Sequence, residues 1–277
     1  MDTVLLVEDN KVFGKLTCNA MEELGLEVAW VRDFHEAAAL IERCDNEIFL
    51  ALLDLDLLDV SQEDLVDLTA AAGIPSIVFA DDLDAELRAS LSTRHVIDYV
   101  LKEGRRDVRH VVSLVHRIRA NRDISVLIVD DSAISSRHLR KLLAMQQYCL
   151  VEAEDGVEAL AVMERHDEIR MVITDYQMPR MDGFELIARL RERYARDELA
   201  IIGLSAQEDR TLAAKLLKQG ANDFIPKPFI PEEFFWRVTQ NVERIERIRA
   251  LAEAKEELSA AERRATRASA FKSEFLA

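Results

Sequence analysis

The sequence is constrained most by a series of short apolar runs that each end in a polar residue. In the second half of the chain, four such runs end at Asp130-Asp131, Asp175, Ser205 and Lys227. Short runs rich in Val, Ile and Leu are typical of buried strands. The carboxyl ends of the strands of an open α/β sheet meet at the edge where ligands bind. We therefore expect carboxylates, a hydroxyl and an ammonium to gather there, a set that suits a divalent cation and a phosphoryl group.

The same pattern occurs once before, in the first half of the chain. The apolar runs there end at Glu8-Asp9, Asp54, Ala80 and Lys102. Asp9 precedes Asp131 by 122 residues and Asp54 precedes Asp175 by 121, so the two series keep nearly the same spacing. A repeat of this kind indicates a tandem duplication of one domain.

Helical patterns alternate with the strand-like runs in both halves. The predicted strands lie near residues 3–7, 26–31, 49–53, 75–80 and 96–101, and again near 125–129, 149–153, 171–174, 200–204 and 223–226. This alternation predicts an α/β fold in which parallel sheets carry helices on both faces. We expect two tandem doubly wound domains of five β/α steps, at residues 1–121 and 123–241.

The chain changes character after Pro231, where Gly and Pro no longer occur and Ala, Glu and Arg dominate. This composition predicts one long helix that begins as the last helix of the second domain and continues as a signalling helix over residues 242–277. An uneven apolar seam runs along it, formed by Ile245, Ile248, Leu251 and Leu258. The seam favours a parallel coiled-coil homodimer through residues 229–277, and a solvated helix without a partner is the alternative.

Composition limits the partners and the location of the chain. Its 36 basic residues face 52 acidic ones, and the formal net charge of −16 without a basic cluster argues against nucleic acid as a partner. The three cysteines have no paired or metal-like spacing, which predicts reduced thiols. Neither a signal peptide nor an apolar stretch long enough to span a bilayer is expected, so we predict a cytoplasmic location.

The order of an acidic pair, an aspartate, a hydroxyl and a Lys-Pro pair on five β/α steps resembles the receiver domain of two-component response regulators. The resemblance covers residues 1 to about 241 as two copies. It is most specific in the second copy, whose segments read VLIVDDS at 126–132, VITDYQMPRMDG at 172–183, IIGLS at 201–205 and FIPKPF at 224–229.

The resemblance implies a magnesium-dependent phosphoacceptor site in the second copy. Asp175 is expected to accept the phosphoryl group as a carboxylate nucleophile. Mg²⁺ is the expected cofactor because it prefers a few carboxylates together with phosphate oxygens. Its expected ligands are Asp130, Asp131, Asp175 and the main-chain carbonyl of Gln177.

The resemblance also implies a readout of phosphorylation. Lys227 is expected to pair with the phosphoryl oxygens, and Ser205 to donate a hydrogen bond to them. Phe224 is expected to act as an aromatic switch that moves inward with the hydroxyl. The expected phosphodonor is a histidine kinase or a phosphotransfer protein.

The first copy departs from this pattern in part. Glu8, Asp9 and Asp54 form a possible second metal site, and Asp54 with Lys102 a possible second acceptor. Ala80 replaces the hydroxyl residue and Glu103 the proline. We therefore predict a degenerate receiver that serves mainly in interaction or modulation, with Tyr99 as a residual switch residue.

The last residues, Ser269–Ala277, resemble the run that enters the dimerisation helix of histidine kinases. The predicted function is therefore that of a regulatory tandem receiver region in two-component phosphorelay signalling, which controls a C-terminal output. A hybrid histidine kinase is the first expectation for the full-length protein. The alternatives are a response regulator with another output, such as a diguanylate cyclase, or a dimerisation scaffold that is not phosphorylated.

Overall fold

A computed structural model describes residues 2–43, 48–57, 60–80, 91, 94, 96–102, 105–205 and 210–275. The chain divides into two compact units. The first comprises Met1–Asp123 with Lys141–Cys149, and the second comprises Ile124–Arg140 with Leu150–Ala277.

The first unit is built around a sheet of five parallel strands in the order β2-β1-β3-β4-β5. The strands are β1 (Thr3–Val7), β2 (Glu27–Val31), β3 (Ile48–Asp54), β4 (Ser76–Ala80) and β5 (Val96–Leu101). The described helices of this unit are α1 (Lys11–Glu23), α2 (Phe34–Arg43), α3 (Gln62–Ala71) and α4 (Arg105–Asn121).

The second unit repeats this arrangement with the strand order β10-β9-β8-β6-β7. Its strands are β6 (Ser125–Val129), β7 (Cys149–Ala153), β8 (Ile169–Asp175), β9 (Ala200–Ser205) and β10 (Asp223–Pro226). Its described helices are α5 (Ala133–Met145), α6 (Gly156–Met163), α7 (Gly183–Arg191), α8 (Arg210–Gln219) and α9 (Pro231–Phe275). The end of α5, from Lys141, is assigned to the first compact unit. Two five-stranded parallel sheets in an α/β fold confirm the predicted fold class.

Burial explains why the central strands are continuous apolar runs. All seven residues of β3 and all six of β9 are buried, because helices cover both faces of a parallel sheet. In β1, Leu5 packs in one apolar cluster while Leu6 packs in another, since successive side chains of a strand point to opposite faces. The edge strand β2 is only partly buried, which accounts for its weak sequence pattern.

The long C-terminal helix α9 confirms the prediction made from composition. Its first turns pack on the rest of the second unit through four buried apolar residues, Phe234, Val238, Val242 and Ile245. Farther along, Leu251 is 71% exposed and Leu258 is 62% exposed. The coiled coil stays a prediction. The tail that resembles a kinase entry helix is helical as far as Phe275, and its last two residues lie outside the described residues.

Cys18 and Cys149 are free thiols, and Cys44 lies outside the described residues. In the part of the chain that the structure describes, no helix combines the length and the apolar composition needed to cross a membrane.

Candidate functional site

The fold brings the polar residues at the strand ends of the second unit to one edge of its sheet. Asp130 follows β6, Asp175 ends β8, Ser205 ends β9 and Lys227 follows β10. The main-chain N–H of Lys227 donates to the carbonyl of Ser205 at 2.6 Å, so the lysine leaves the sheet beside its neighbouring strand. The Lys227–Pro228 peptide bond is cis.

The ammonium of Lys227 is the centre of this site. Its Nζ lies 2.6 Å from Asp175 Oδ1, 2.8 Å from Asp130 Oδ2 and 3.0 Å from Ser135 Oγ. Burial acts to lower the pKa of Lys227, but the hydrogen bonds and charges of Asp130 and Asp175 outweigh it and raise the pKa above its ordinary value. The lysine is therefore a fixed positive charge beside two carboxylates.

Each carboxylate of the site is also held by its own local bonds. Asp130, whose side chain is 1% exposed, accepts hydrogen bonds from the N–H of Ser132 at 2.9 Å and from Ser135 Oγ at 2.5 Å. Asp175 accepts a hydrogen bond from the N–H of Gln177 at 2.9 Å. Asp131 is exposed.

An open cleft of about 410 Å³ begins beside Asp130 and Asp131, between α5 and the end of β7 with the residues that follow it. Solvent therefore reaches Asp131 from this side, whereas Asp130 is almost fully buried. Carboxylate oxygens at an open strand edge are the ligand type that Mg²⁺ prefers, so the donor set fits the expected cation.

The loop after Asp175 explains the Asp182-Gly183 pair. A Cβ on Gly183 would lie 2.2 Å from the carbonyl oxygen of Asp175, and the Gly183 N–H donates to the carbonyl of Tyr176 at 3.1 Å. Asp182 caps α7 by accepting a hydrogen bond from the N–H of Glu185 at 2.8 Å. Only a residue without a side chain fits so close to the acceptor strand.

An ion pair that the sequence reasoning did not find fixes the other side of this loop. The guanidinium of Arg180 contacts Oδ2 of the buried Asp155, while Asp155 Oδ1 caps α6 through the N–H groups of Val157 and Glu158. Burial alone would raise the pKa of Asp155, but these hydrogen bonds and the arginine lower it. No short-range signal marks the pair, because 25 residues separate its members.

The two expected switch residues, Ser205 and Phe224, differ in how deeply they are buried. Ser205 is 3% exposed, and Phe224 is half-buried against the apolar cluster that contains Val129. Asp223, immediately before Phe224, pairs with Arg237 of α9 at 2.9 Å. Strand β10 is therefore tied to the start of the long helix next to the switch residue.

The first unit repeats the charged centre. Lys102 Nζ lies 2.6 Å from Asp54 Oδ1 and 3.3 Å from Glu8 Oε2. The N–H of Lys102 donates to the carbonyl of Ala80 at 3.0 Å, as Lys227 does to Ser205. Burial opposes the charge of Lys102, but the bonds and charges of Asp54 and Glu8 outweigh it and raise the pKa of the lysine.

The acidic residues of the first unit lie close enough to share a cation. Oxygens of Glu8, Asp9 and Asp54 lie within 4.8 Å of one another. Glu8 is fully buried, and among the residues that the structure describes its Oε2 has no hydrogen-bond partner of acceptable geometry. Burial, with the charge of Asp54, raises the pKa of Glu8 to about 7. A buried carboxylate beside two further acidic side chains fits the expectation of a second metal site.

Other expected features of the first unit are only partly visible. Tyr99 is half-buried, and its N–H donates to Asp98 Oδ1 at 2.8 Å, as the Phe224 N–H donates to Asp223. Glu103 lies outside the described residues.

Comparison with known proteins gives a family match for part of the chain. The family described as response regulator receiver domain matches residues 126–239. The two-component response regulator ORR3 of Oryza sativa subsp. indica is 34% identical over 108 residues, which are 39% of this chain and 82% of that protein. A chemotaxis protein CheY homolog of Campylobacter jejuni is 32% identical over 110 residues, which are 39% of this chain and 85% of that protein.

Two further matches are to a much longer protein and to a solved structure that covers most of this chain. Hybrid signal transduction histidine kinase D of Dictyostelium discoideum is 38% identical over 113 residues, 41% of this chain but 7% of that protein. The crystal structure of a two-component system response regulator/GGDEF domain protein is 39% identical with a TM-score of 0.75, and the match covers 89% of this chain and 100% of that one.

Proposed function

This chain belongs to the response regulator receiver family, and we propose that it is a regulatory region of two-component signalling that accepts a phosphoryl group on Asp175. The observation that carries the proposal is the ammonium of Lys227, which lies 2.6 Å from Asp175 Oδ1 and 2.8 Å from Asp130 Oδ2. A fixed cation beside a partly exposed carboxylate suits a nucleophile that must approach an anionic phosphoryl group.

The proposed chemistry is phosphoryl transfer to a carboxylate. A carboxylate oxygen of Asp175 attacks the phosphorus of a phosphohistidine on a histidine kinase or phosphotransfer protein. The new P–O bond forms as the P–N bond breaks, and the electron pair stays on the imidazole nitrogen of the donor. Lys227 pairs with the negative phosphoryl oxygens. When bound by Asp130, Asp131, Asp175 and the main-chain carbonyl of Gln177, Mg²⁺ supplies further charge neutralisation.

We propose that residues 1–121, which form most of the first unit, are a second and degenerate receiver. The support is the retained centre of Asp54, Lys102 and Glu8, together with a fully buried Ala80 in the place of Ser205. Without a hydroxyl at position 80, phosphorylation of Asp54 would lack the donor that normally moves toward the phosphoryl group. The first unit is therefore proposed to serve mainly in interaction or modulation.

The proposed output route runs from the second receiver, residues 123–241, into the signalling helix that follows it. Movement of Ser205 and Phe224 would act on the adjoining residue Asp223, which Arg237 ties to α9. Arg237 also pairs with Glu233 at 2.9 Å, so the first turns of α9 are connected to β10 as a unit. A shift of β10 would therefore reach the helix.

The exposed part of α9 supports a parallel coiled-coil homodimer. Leu251 and Leu258 are seven residues apart and largely exposed, and Ile248 extends the same stripe. A repeat of seven places these residues on one seam. The helix that carries them continues from the second unit, so a dimer would connect two receivers to one output.

The comparisons bear on the choice of output. The 39% identical response regulator/GGDEF protein matches across 89% of this chain, whereas the match to the hybrid histidine kinase covers 41%. The first match fits the alternative of a GGDEF-type output, while the tail and the second match fit a hybrid histidine kinase. A cytoplasmic location stays a prediction.

The test is Mg²⁺-dependent phosphorylation by a small acyl phosphate, followed by intact-mass spectrometry of the wild type, Asp54→Asn and Asp175→Asn. We expect one phosphoryl group, absent only from Asp175→Asn. Two groups would make the first unit a working receiver, and none would favour an unphosphorylated scaffold.

A further inference from the structure

Ser135 lies in the first turn of α5 and contacts both charged partners of the phosphoryl site. Its Oγ donates to Asp130 Oδ2 at 2.5 Å and accepts a hydrogen bond from Lys227 Nζ at 3.0 Å. The side chain is half-buried. It is therefore part of the charged centre, although it follows Asp130 by five residues on a different element.

The hydroxyl of Ser135 is the third hydrogen-bond partner of the Lys227 ammonium. A lysine has three N–H donors, and Lys227 directs them to Asp175, Asp130 and Ser135. When Asp175 becomes an acyl phosphate, the bond from Lys227 to its carboxylate must be exchanged for one to a phosphoryl oxygen. The bonds to Asp130 and Ser135 can persist through that exchange, because neither group takes part in it.

The first unit carries a different residue at the same position. Phe13 follows Glu8 by five residues, as Ser135 follows Asp130. Lys102 Nζ lies 5.6 Å from the centre of the Phe13 ring, which packs edge-to-face on Phe79 at 5.1 Å. The equivalent lysine thus meets an aromatic face instead of a hydroxyl, while its contact with the acceptor aspartate is retained.

We propose that Ser135 is a positioning residue for phosphoryl transfer to Asp175, which acts by holding Lys227 and Asp130 in place. The inference rests on the proposed function of Asp175. A hydroxyl at this position keeps the ammonium oriented while its bond to the acceptor is exchanged. It also supplies a donor to an almost fully buried carboxylate, which would otherwise lose a hydrogen bond.

The test compares Ser135→Ala, Ser135→Thr and Ser136→Ala in the full chain. Ser136→Ala is the matched control, because Ser136 lies on the same helical turn and its hydroxyl bonds Glu152 at 2.8 Å instead of Lys227. The rate of phosphorylation by acetyl phosphate in saturating Mg²⁺ is followed by intact mass. Thermal unfolding of each variant is recorded in parallel.

We expect Ser135→Ala to react about tenfold more slowly, as the loss of one hydrogen bond to a charged group implies. Ser135→Thr restores a hydroxyl and should restore the rate, and Ser136→Ala should match the wild type. A wild-type rate in Ser135→Ala would overturn the role of Ser135 and leave the phosphorylation of Asp175 standing. A slow Ser135→Thr with an intact fold would equally overturn the role of the hydroxyl. A wild type that takes up no phosphoryl group would remove both proposals together.

Discussion

The ammonium of Lys102 lies 2.6 Å from Asp54 Oδ1, the distance that also joins Lys227 Nζ to Asp175 Oδ1 in the second unit. Each lysine is fixed by a main-chain hydrogen bond to the neighbouring strand end, at Ala80 or Ser205. The units therefore share a charged centre and differ in its surroundings, since the first lacks the hydroxyl at position 80.

Replacing Lys227 with Met should destabilise the second unit by about 3 kcal/mol, because it leaves the buried Asp130 and the adjacent Asp175 without their cation. Mg²⁺ should restore more stability to this variant than to the wild type, since it can offset the same repulsion. Urea unfolding with and without Mg²⁺ measures both effects. Lys218→Met, at an exposed position of α8, is the control. An equal Mg²⁺ effect in all three proteins would contradict a shared charge centre.

The first unit should lose stability as the pH rises from 4.5 to 7. The pKa of Glu8 is raised from 4.5 to about 7, mainly by burial, so in this window the folded chain holds a proton that the unfolded chain releases. Glu8→Gln removes this titrating group. Between pH 4.5 and pH 7, its free energy of unfolding should therefore rise by on the order of 3 kcal/mol relative to that of the wild type.

The measurement for Glu8 can follow Trp30, whose indole N–H donates to the carbonyl of Glu8 at 2.8 Å. In a Trp236→Phe background, Trp30 is the remaining tryptophan, so urea unfolding by fluorescence reports on the first unit. The exposed Glu23→Gln on α1 is the control. Parallel pH profiles for Glu8→Gln and the wild type would refute the raised pKa.

Gly183→Ala should weaken both stability and phosphorylation. Its Cβ would lie 2.2 Å from the carbonyl oxygen of Asp175, so the backbone at the acceptor must move, at a cost of about 3 kcal/mol. In Gly203→Ala the new Cβ would meet a methyl group of Leu216 at 3.1 Å, and a side chain yields more easily than backbone. Thermal unfolding and the phosphorylation rate should fall in the first variant far more than in the second. Similar losses in both would argue against a special constraint at Gly183.

Leu258→Asp should prevent dimerisation through α9, because it would place a charge on the proposed apolar seam. Sedimentation velocity over a range of concentrations measures the association. Glu256→Ala, at an exposed position of the same helix, should leave the dimer intact. A wild-type chain that stays monomeric at every concentration would rule out this homodimer.

The sequence by itself determined the fold class, the strand positions and the repeated order of the strands. Central strands such as β3 are apolar throughout because both of their faces are covered. Helices show a periodicity of their own. Local sequence patterns therefore identify both strands and helices. The residues at strand ends could also be assigned to one edge, because parallel strands point the same way. These inferences depend on order along the chain and on the regular geometry of each element.

Only the tertiary structure decided how the charges of the site are shared. Lys227 reaches Asp130 across 97 residues, and the hydroxyl of Ser135 joins them from a separate helix. The pKa of Glu8 likewise depends on complete burial beside Asp54. Hydrogen bonds and Coulomb interactions act over a few ångströms, and desolvation depends on everything packed around a group. None of these quantities is a property of a residue's neighbours in the sequence, so they become defined only when the chain has folded.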